Sequence, residues 1–228
     1  MKSPRSPGFS LIELLVTVAI VSVLATLAVT AMQGISRRRD VQVCQNNLRQ
    51  VYVLLQAYIA DHAGRFPPAI SDSPGDITLH WRRAILPYMG KRPGGSGVTA
   101  DVFDSGLVCP AMARDPRAEP AFKRLCNFGV NANVGDPAAP LERGIPLASI
   151  RKPSRFFLAT ESSFGGSAIP REAIRPKDFN TYSNQWNYHD QRFQNVLFAD
   201  GHIEFFENAR RLIMAPYAVG KAEDLWTP

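Results

Sequence analysis

From Leu14 to Met32 the chain carries no charged side chain, and its apolar residues fall on every side of any helix drawn through them. No polar stripe separates an outer face from an inner one, so this is not the amphipathic helix of a water-soluble domain. At about 1.5 Å rise per residue, a helix through Leu11 to Met32 crosses a hydrocarbon core of roughly 30 Å. Two readings compete for it: a secretory signal that is removed, and an anchor that is kept. Lys2 and Arg5 make a basic start and Val29-Thr30-Ala31 places small residues before Met32, as a removable signal would. Signal cores, however, hold about 7 to 15 apolar residues, and this run continues well beyond that, which favours the anchor. Charge does not orient the segment, because Lys2 and Arg5 on one side are matched by Arg37, Arg38 and Arg39 on the other.

The residue that decides between the two is Glu13, an acid placed a few positions into the apolar stretch. A carboxylate in lipid costs about 2.5 to 3.5 kcal/mol at the bilayer centre and less near an edge, so a compensating partner is expected. The surrounding residues, Gly8-Phe9-Ser10-Leu11-Ile12-Glu13-Leu14-Leu15, closely resemble the processing signal of type IV pilins and type II secretion pseudopilins. The resemblance implies that a prepilin peptidase in the inner membrane cuts after Gly8 and methylates the new terminus at Phe9. It also makes Glu13 the carboxylate that guides assembly with other pilin-like subunits on an inner-membrane platform. The chemistry is coherent, since cutting creates a positive amine on Phe9 that can neutralise Glu13 of a neighbouring subunit inside a helix bundle. Many members of that family carry a proline where this chain has Thr30, so no kink is expected there.

Beyond Arg39, the residues Val41, Cys44, Leu48, Val51, Leu55 and Tyr58 recur at alternating intervals of three and four, the pattern of an amphipathic helix. No proline occurs between Phe9 and Asp61, so anchor and amphipathic half are expected to form one helix that stops near His62-Ala63-Gly64, ahead of Pro67-Pro68. The chain is therefore divided into a leader at 1–8, a transmembrane segment at 9–33, the exported half of the same helix at 34–63, and a globular domain at 64–228.

Within that domain, Asp76 to Met89 reads as a short helix with an acidic cap, and Arg155-Phe156-Phe157-Leu158-Ala159-Thr160 as a buried strand. Glycine- and proline-rich stretches at 91–106, 131–146 and 165–180 read as loops. The clearest strand signal is Asn195 to Ala199 and His202 to Phe206 around Asp200-Gly201, a two-residue hairpin turn. In that register Phe198 faces Ile203 and Val196 faces Phe205. The expected fold is α+β and pilin-like: a long N-terminal helix packed on a small antiparallel sheet with long loops. The C-terminal region also resembles the prepilin-type processing-associated domain defined by a histidine, a nine-residue gap and Asp-Gly. The matching residues are His189, Asp200 and Gly201, with Asn47-Leu48-Arg49-Gln50, Gly64-Arg65-Phe66-Pro67-Pro68, Cys109-Pro110 and Phe128-Gly129-Val130-Asn131 in support. The departure is that ten residues, not nine, separate His189 from Asp200.

Other chemistries find less support. The 26 Lys and Arg against 20 Asp and Glu leave a net charge of +6, too mild and too scattered for a nucleic-acid binder. The dense run Arg37-Arg38-Arg39 follows the apolar segment and suits lipid headgroups. Cys44, Cys109 and Cys126 lack metal-ligand spacing, so zinc is not expected. In an exported domain Cys109 and Cys126 form a bridge, with buried free thiols as the alternative. His189, Asp190, Asp200, His202 and Glu204 can be drawn as a metal cluster, calcium being the weak candidate, but solvated polar residues on a hairpin are the simpler reading. Ser162-Ser163 lack the context of a catalytic nucleophile, so no enzyme is expected. The sequence thus points to a structural subunit of a periplasmic pilus-like filament, a type II secretion pseudopilin first. The rivals are a DNA-uptake or adhesive pilus subunit, and a membrane-tethered exported enzyme or binding protein.

Overall fold

The computed structural model describes residues 10–69, 80–90, 107–114, 128–135, 143–161, 173–174, 189 and 193–207. The first helix, α1, runs Leu11–Asp61 without a break, as the absence of proline allows. The chain divides into two compact units, Met1–Arg39 and Asp40–Pro228.

In the first unit, the large apolar side chains from Leu11 to Ile35 stand exposed, each more than half accessible. Leu11–Val29 is long and apolar enough to cross a membrane. Its hydroxyls are reconciled with an apolar medium by bonding back to the helix: Thr17 donates to the Leu14 carbonyl at 2.9 Å and Ser22 to Val18 at 2.7 Å. Thr26 does the same to Ser22 at 2.5 Å. An unpaired hydroxyl would cost a few kcal/mol in lipid.

In the second unit the helix changes character. Cys44, Leu48, Val51, Leu55 and Ile59 are buried and share one core with residues of the sheet. The seam therefore ends on Ile59, whereas Tyr58 and Val41, expected within it, are half-buried. The helix stops where expected. Gly64 N–H bonds the Ile59 carbonyl at 2.9 Å, and Ala63 and Gly64 adopt φ of 53° and 75°, the left-handed C-terminal cap that closes many helices.

Next come α2 (His80–Ile85), with a 3₁₀ turn at Leu86–Met89, and α3 (Pro110–Ala113). The acidic cap expected for α2 at Asp76 lies outside the described residues. The strands are β1 (Phe128–Asn131), β2 (Phe157–Glu161), β3 (Ala173–Ile174), β4 (Phe193–Phe198) and β5 (Ile203–Glu207). Their order is β3-β1-β2-β4-β5. The run β1-β2-β4-β5 is antiparallel, as expected, while β3 adds two residues parallel to β1 at the edge. The buried strand read from Arg155 to Thr160 is shifted by up to two residues, and every residue of β2, including Glu161, is buried.

The β4–β5 hairpin corrects the expected register. Leu197 pairs with Ile203, Val196 with Glu204 and Asn195 with Phe205, one residue away from the Phe198–Ile203 pairing. The loop is three residues long, not two. Gly201 N–H bonds the Phe198 carbonyl at 2.9 Å, Phe198 N–H bonds the His202 carbonyl at 2.9 Å, and Gly201 has φ of 93°. A turn followed by a left-handed glycine is the next commonest hairpin after the two-residue one. Gly201 is fixed by space as well, because a Cβ there would lie 2.7 Å from the Tyr52 ring on α1.

Candidate functional site

Among the described residues, two places set an ionisable side chain in a defined hydrogen-bonding arrangement that bears on function, one exposed and one buried. The first is the start of α1. Ser10 N–H donates to the Glu13 carboxylate at 2.9 Å, and Leu14 N–H reaches the Ser10 carbonyl at 3.2 Å. This is half of a capping box, in which a Ser or Thr before the helix and a Glu three residues on satisfy each other's free backbone donors. The signal Ser10-x-x-Glu13 is present in the sequence, where the resemblance to pilins points only to an intermolecular partner for Glu13. The geometry gives its carboxylate a partner within the chain as well. Gly8 and Phe9, the expected cut site, lie outside the described residues, as does the leader.

The second place is in the core of the globular unit. Glu161, at the end of β2, is fully buried. Its carboxylate accepts from Asn195 N–H at 2.7 Å, from Asn195 Nδ2 at 2.7 Å, and from His189 Nε2 at 3.1 Å. Asn195 is held in turn by Gln45 of α1, whose Nε2 donates to its Oδ1 at 3.1 Å. The arrangement places a carboxylate in the interior with its lone pairs met by three donors, which is the condition for tolerating a charge there. His189 is therefore not a solvated surface residue: it is 4% exposed, with Nε2 3.7 Å from Cys109 Sγ.

That cysteine is bonded to Cys44, across 65 residues of sequence. The expected Cys109–Cys126 bridge is thus replaced, because the buried face of α1 carries Cys44 onto the segment that precedes α3. Cys126 lies outside the described residues. Two further ties accompany the bridge: Asn47 Nδ2 donates to the Val108 carbonyl at 3.0 Å, and Arg114 pairs with Asp40. Positions 40, 44 and 47 lie on one face of a helix, so the segment Leu107–Arg114 is fastened to α1 over two turns.

The hairpin residues singled out as a possible metal cluster are spread between these environments. Asp200 and Glu204 are exposed, and His202 is partly so, between Asp200 at 2.5 Å and Glu204 at 3.3 Å. Asp200 and Gly201 serve the turn. Asp190, Ser162 and Ser163 lie outside the described residues. Sequence reasoning missed Glu161 and Asn195 altogether. The signals available were a glutamate directly after an apolar strand run and an Asn opening the next, neither of which names a site without knowing that β2 and β4 are neighbours.

Comparison with known proteins bears on the first place. The family described as the prokaryotic N-terminal methylation motif matches residues 4–29. The chain is similar to the type IV major pilin protein PilA of Myxococcus xanthus (strain DK1622), 26% identical over 150 residues that make up 63% of this chain and 61% of the relative. The chain thus spans less than two thirds of the length of the curated relative it matches. No solved structure matches.

Proposed function

We propose, from the premise that the chain is type IV pilin-like, that it is a structural subunit of a pilus-like filament assembled from the bacterial inner membrane. The observation that carries this reading is the exposed apolar half of α1, with a single carboxylate, Glu13, near its start. That surface is exposed along the described residues of its unit, and an apolar helix of this kind is stable either in lipid or against copies of itself. In the proposed cycle a prepilin peptidase cuts between Gly8 and Phe9, the helix remains as a single-pass anchor, and the globular unit faces the periplasm. Subunits then leave the bilayer by packing their apolar helices together, Glu13 of one neutralising the Phe9 amine of the next. The role is mechanical and calls for no catalytic group.

Among filaments, we propose a type II secretion pseudopilin. A pilus subunit is the second reading, supported by the relative's being a major pilin. Loss of protein export without loss of surface filaments in a deletion strain fits the pseudopilin, and the reverse outcome fits the pilus. The shared premise is tested by intact mass and N-terminal sequencing of the membrane-extracted protein. We expect it to begin with N-methylated Phe9 and expect Gly8→Ala to leave the precursor uncut. A mature chain that begins at Met32 would overturn the anchor and the filament together.

A further inference from the structure

We propose that Cys44, Cys109, Glu161 and His189 form a zinc site when the Cys44–Cys109 bridge is open. All four are buried, and one ligand atom from each lies within 4.8 Å of every other. The residues come from α1, the segment before α3, the end of β2 and the stretch before β4, so no short spacing betrays them in the sequence. The proposal does not depend on the filament reading.

The donor set fits the metal. Two soft thiolates, an imidazole and a harder carboxylate make a mixed donor set, each member of which borderline-soft Zn²⁺ takes in four-coordinate sites. With Zn–S near 2.3 Å and Zn–N or Zn–O near 2.0 to 2.1 Å, tetrahedral edges are about 3.5 Å between S and N and about 3.3 Å between N and O. The observed separations are 3.7 Å from Cys109 Sγ to His189 Nε2 and 3.1 Å from Nε2 to Glu161 Oε1. Two of the six edges of the polyhedron are therefore near tetrahedral length, every ligand atom lies within 4.8 Å of the others, and opening the bridge lets the two sulfurs part to the required distance of about 3.8 Å. Charge also permits it. One Zn²⁺ and two thiolates sum to zero, so the metal adds no net charge to a buried centre that already houses Glu161. Asn195, hydrogen-bonded to Glu161 and held by Gln45, supplies the outer partner that orients a ligating carboxylate.

The chemistry balances with a dithiol reductant. One reductant thiolate attacks a cysteine sulfur and breaks the S–S bond. The mixed disulfide is resolved by the reductant's second thiol, leaving two cysteine thiols and an oxidised reductant. Zinc then binds as both thiols release their protons to solvent and His189 carries its ring proton on Nδ1, freeing Nε2. The reverse exchange re-forms the bridge: a disulfide oxidant accepts the two electrons and leaves as a dithiol, and the metal, its thiolates gone, is expelled.

The test uses the full chain in detergent, reduced and freed of reductant without air, and titrated with Zn²⁺ against a colorimetric chelator. We expect one zinc per chain in the reduced protein and none in the oxidised one. Co²⁺ in place of zinc should give the intense visible bands of a tetrahedral site and thiolate charge transfer. The variant Cys126→Ser should bind as the parent does, while His189→Ala and Glu161→Gln should each weaken binding by at least about 10-fold, the loss that even outer partners cause at zinc sites. A measurement on the unaltered chain guards against misfolded variants: stoichiometric Zn²⁺ should slow alkylation of Cys44 and Cys109 by about 10-fold or more and leave Cys126 unchanged. A reduced chain that takes up no zinc, zinc lost with Cys126→Ser, or equal alkylation with and without the metal would each overturn the site.

Discussion

Glu13 has one observed partner and one proposed, and substitution can separate them. Its carboxylate accepts Ser10 N–H within the chain, and the filament reading asks the same group to meet an amine of another subunit. Gln can still accept the Ser10 hydrogen bond, since capping boxes use Glu or Gln alike, but it cannot neutralise a buried ammonium. Val can do neither. We therefore expect Glu13→Gln to be inserted, cut and folded like the parent, yet absent from crosslinked oligomers. Glu13→Val should lose the oligomers and also fray the first turn of α1, visible as faster amide exchange near Ser10. Crosslinking of Glu13→Gln at the parental level would leave the carboxylate with its capping job alone. Glu161 shows the opposite kind of legibility. Glu13 is noticeable because its neighbours in sequence are apolar, whereas Glu161 matters because of Asn195 and His189, which only folding brings near it.

At the scale of elements, the terminus of α1 stores a small strain. Ala63 occupies the left-handed cap at φ 53°, where a Cβ costs roughly 1 to 2 kcal/mol. Replacing Ala63 with Gly should raise stability by about 0.5 to 1 kcal/mol, the glycine's greater freedom in the unfolded chain taking back part of the gain. Urea unfolding of the two proteins checks it, and a loss of stability would contradict the cap. The same terminus is tied to the turn after α2 by Tyr88, whose hydroxyl donates to Asp61 at 3.0 Å. Burial pushes the Tyr88 phenol above its ordinary 10.0, and the hydrogen bond to Asp61 with that group's negative charge pushes it further. A folded value above the unfolded one means the contribution is complete below about pH 10 and is lost as pH rises through the folded value. Tyr88→Phe should therefore be less stable near neutrality and show a shallower decline above about pH 10. Parallel pH profiles for the two proteins would sink the assignment. The helix boundary was readable because glycine and proline punctuate it locally. The hairpin register was not: Asp-Gly serves two- and three-residue loops alike, and the choice rests on Gly201 lying against Tyr52 of a distant helix.

At the scale of the molecule, the two compact units meet in sequence between Arg39 and Asp40. A chain beginning at Gly34 keeps the whole buried face from Cys44 to Ile59. We expect it to be soluble, monomeric and cooperatively folding, with sedimentation and thermal unfolding as the readout. Aggregation of that chain beside a well-behaved full-length protein in detergent would mean the globular unit needs the apolar half. The broad plan was legible because a membrane run and a helical stripe are one-dimensional patterns. The cysteine pairing was not, since it depends on which loop is laid across α1. That pairing also sets where a pull would be felt. If the N-terminal half of α1 is drawn taut, the load enters the globular unit at Asp40, and peeling the helix from its bed would have to begin there. Within one turn it meets Cys44, covalently fastened to Cys109, with the Arg114 pairing just before it and the Asn47 hydrogen bond just after. The seam is riveted at the end from which it would tear, so tension is handed to a covalent bond before it reaches the apolar packing of Leu48, Val51 and Leu55.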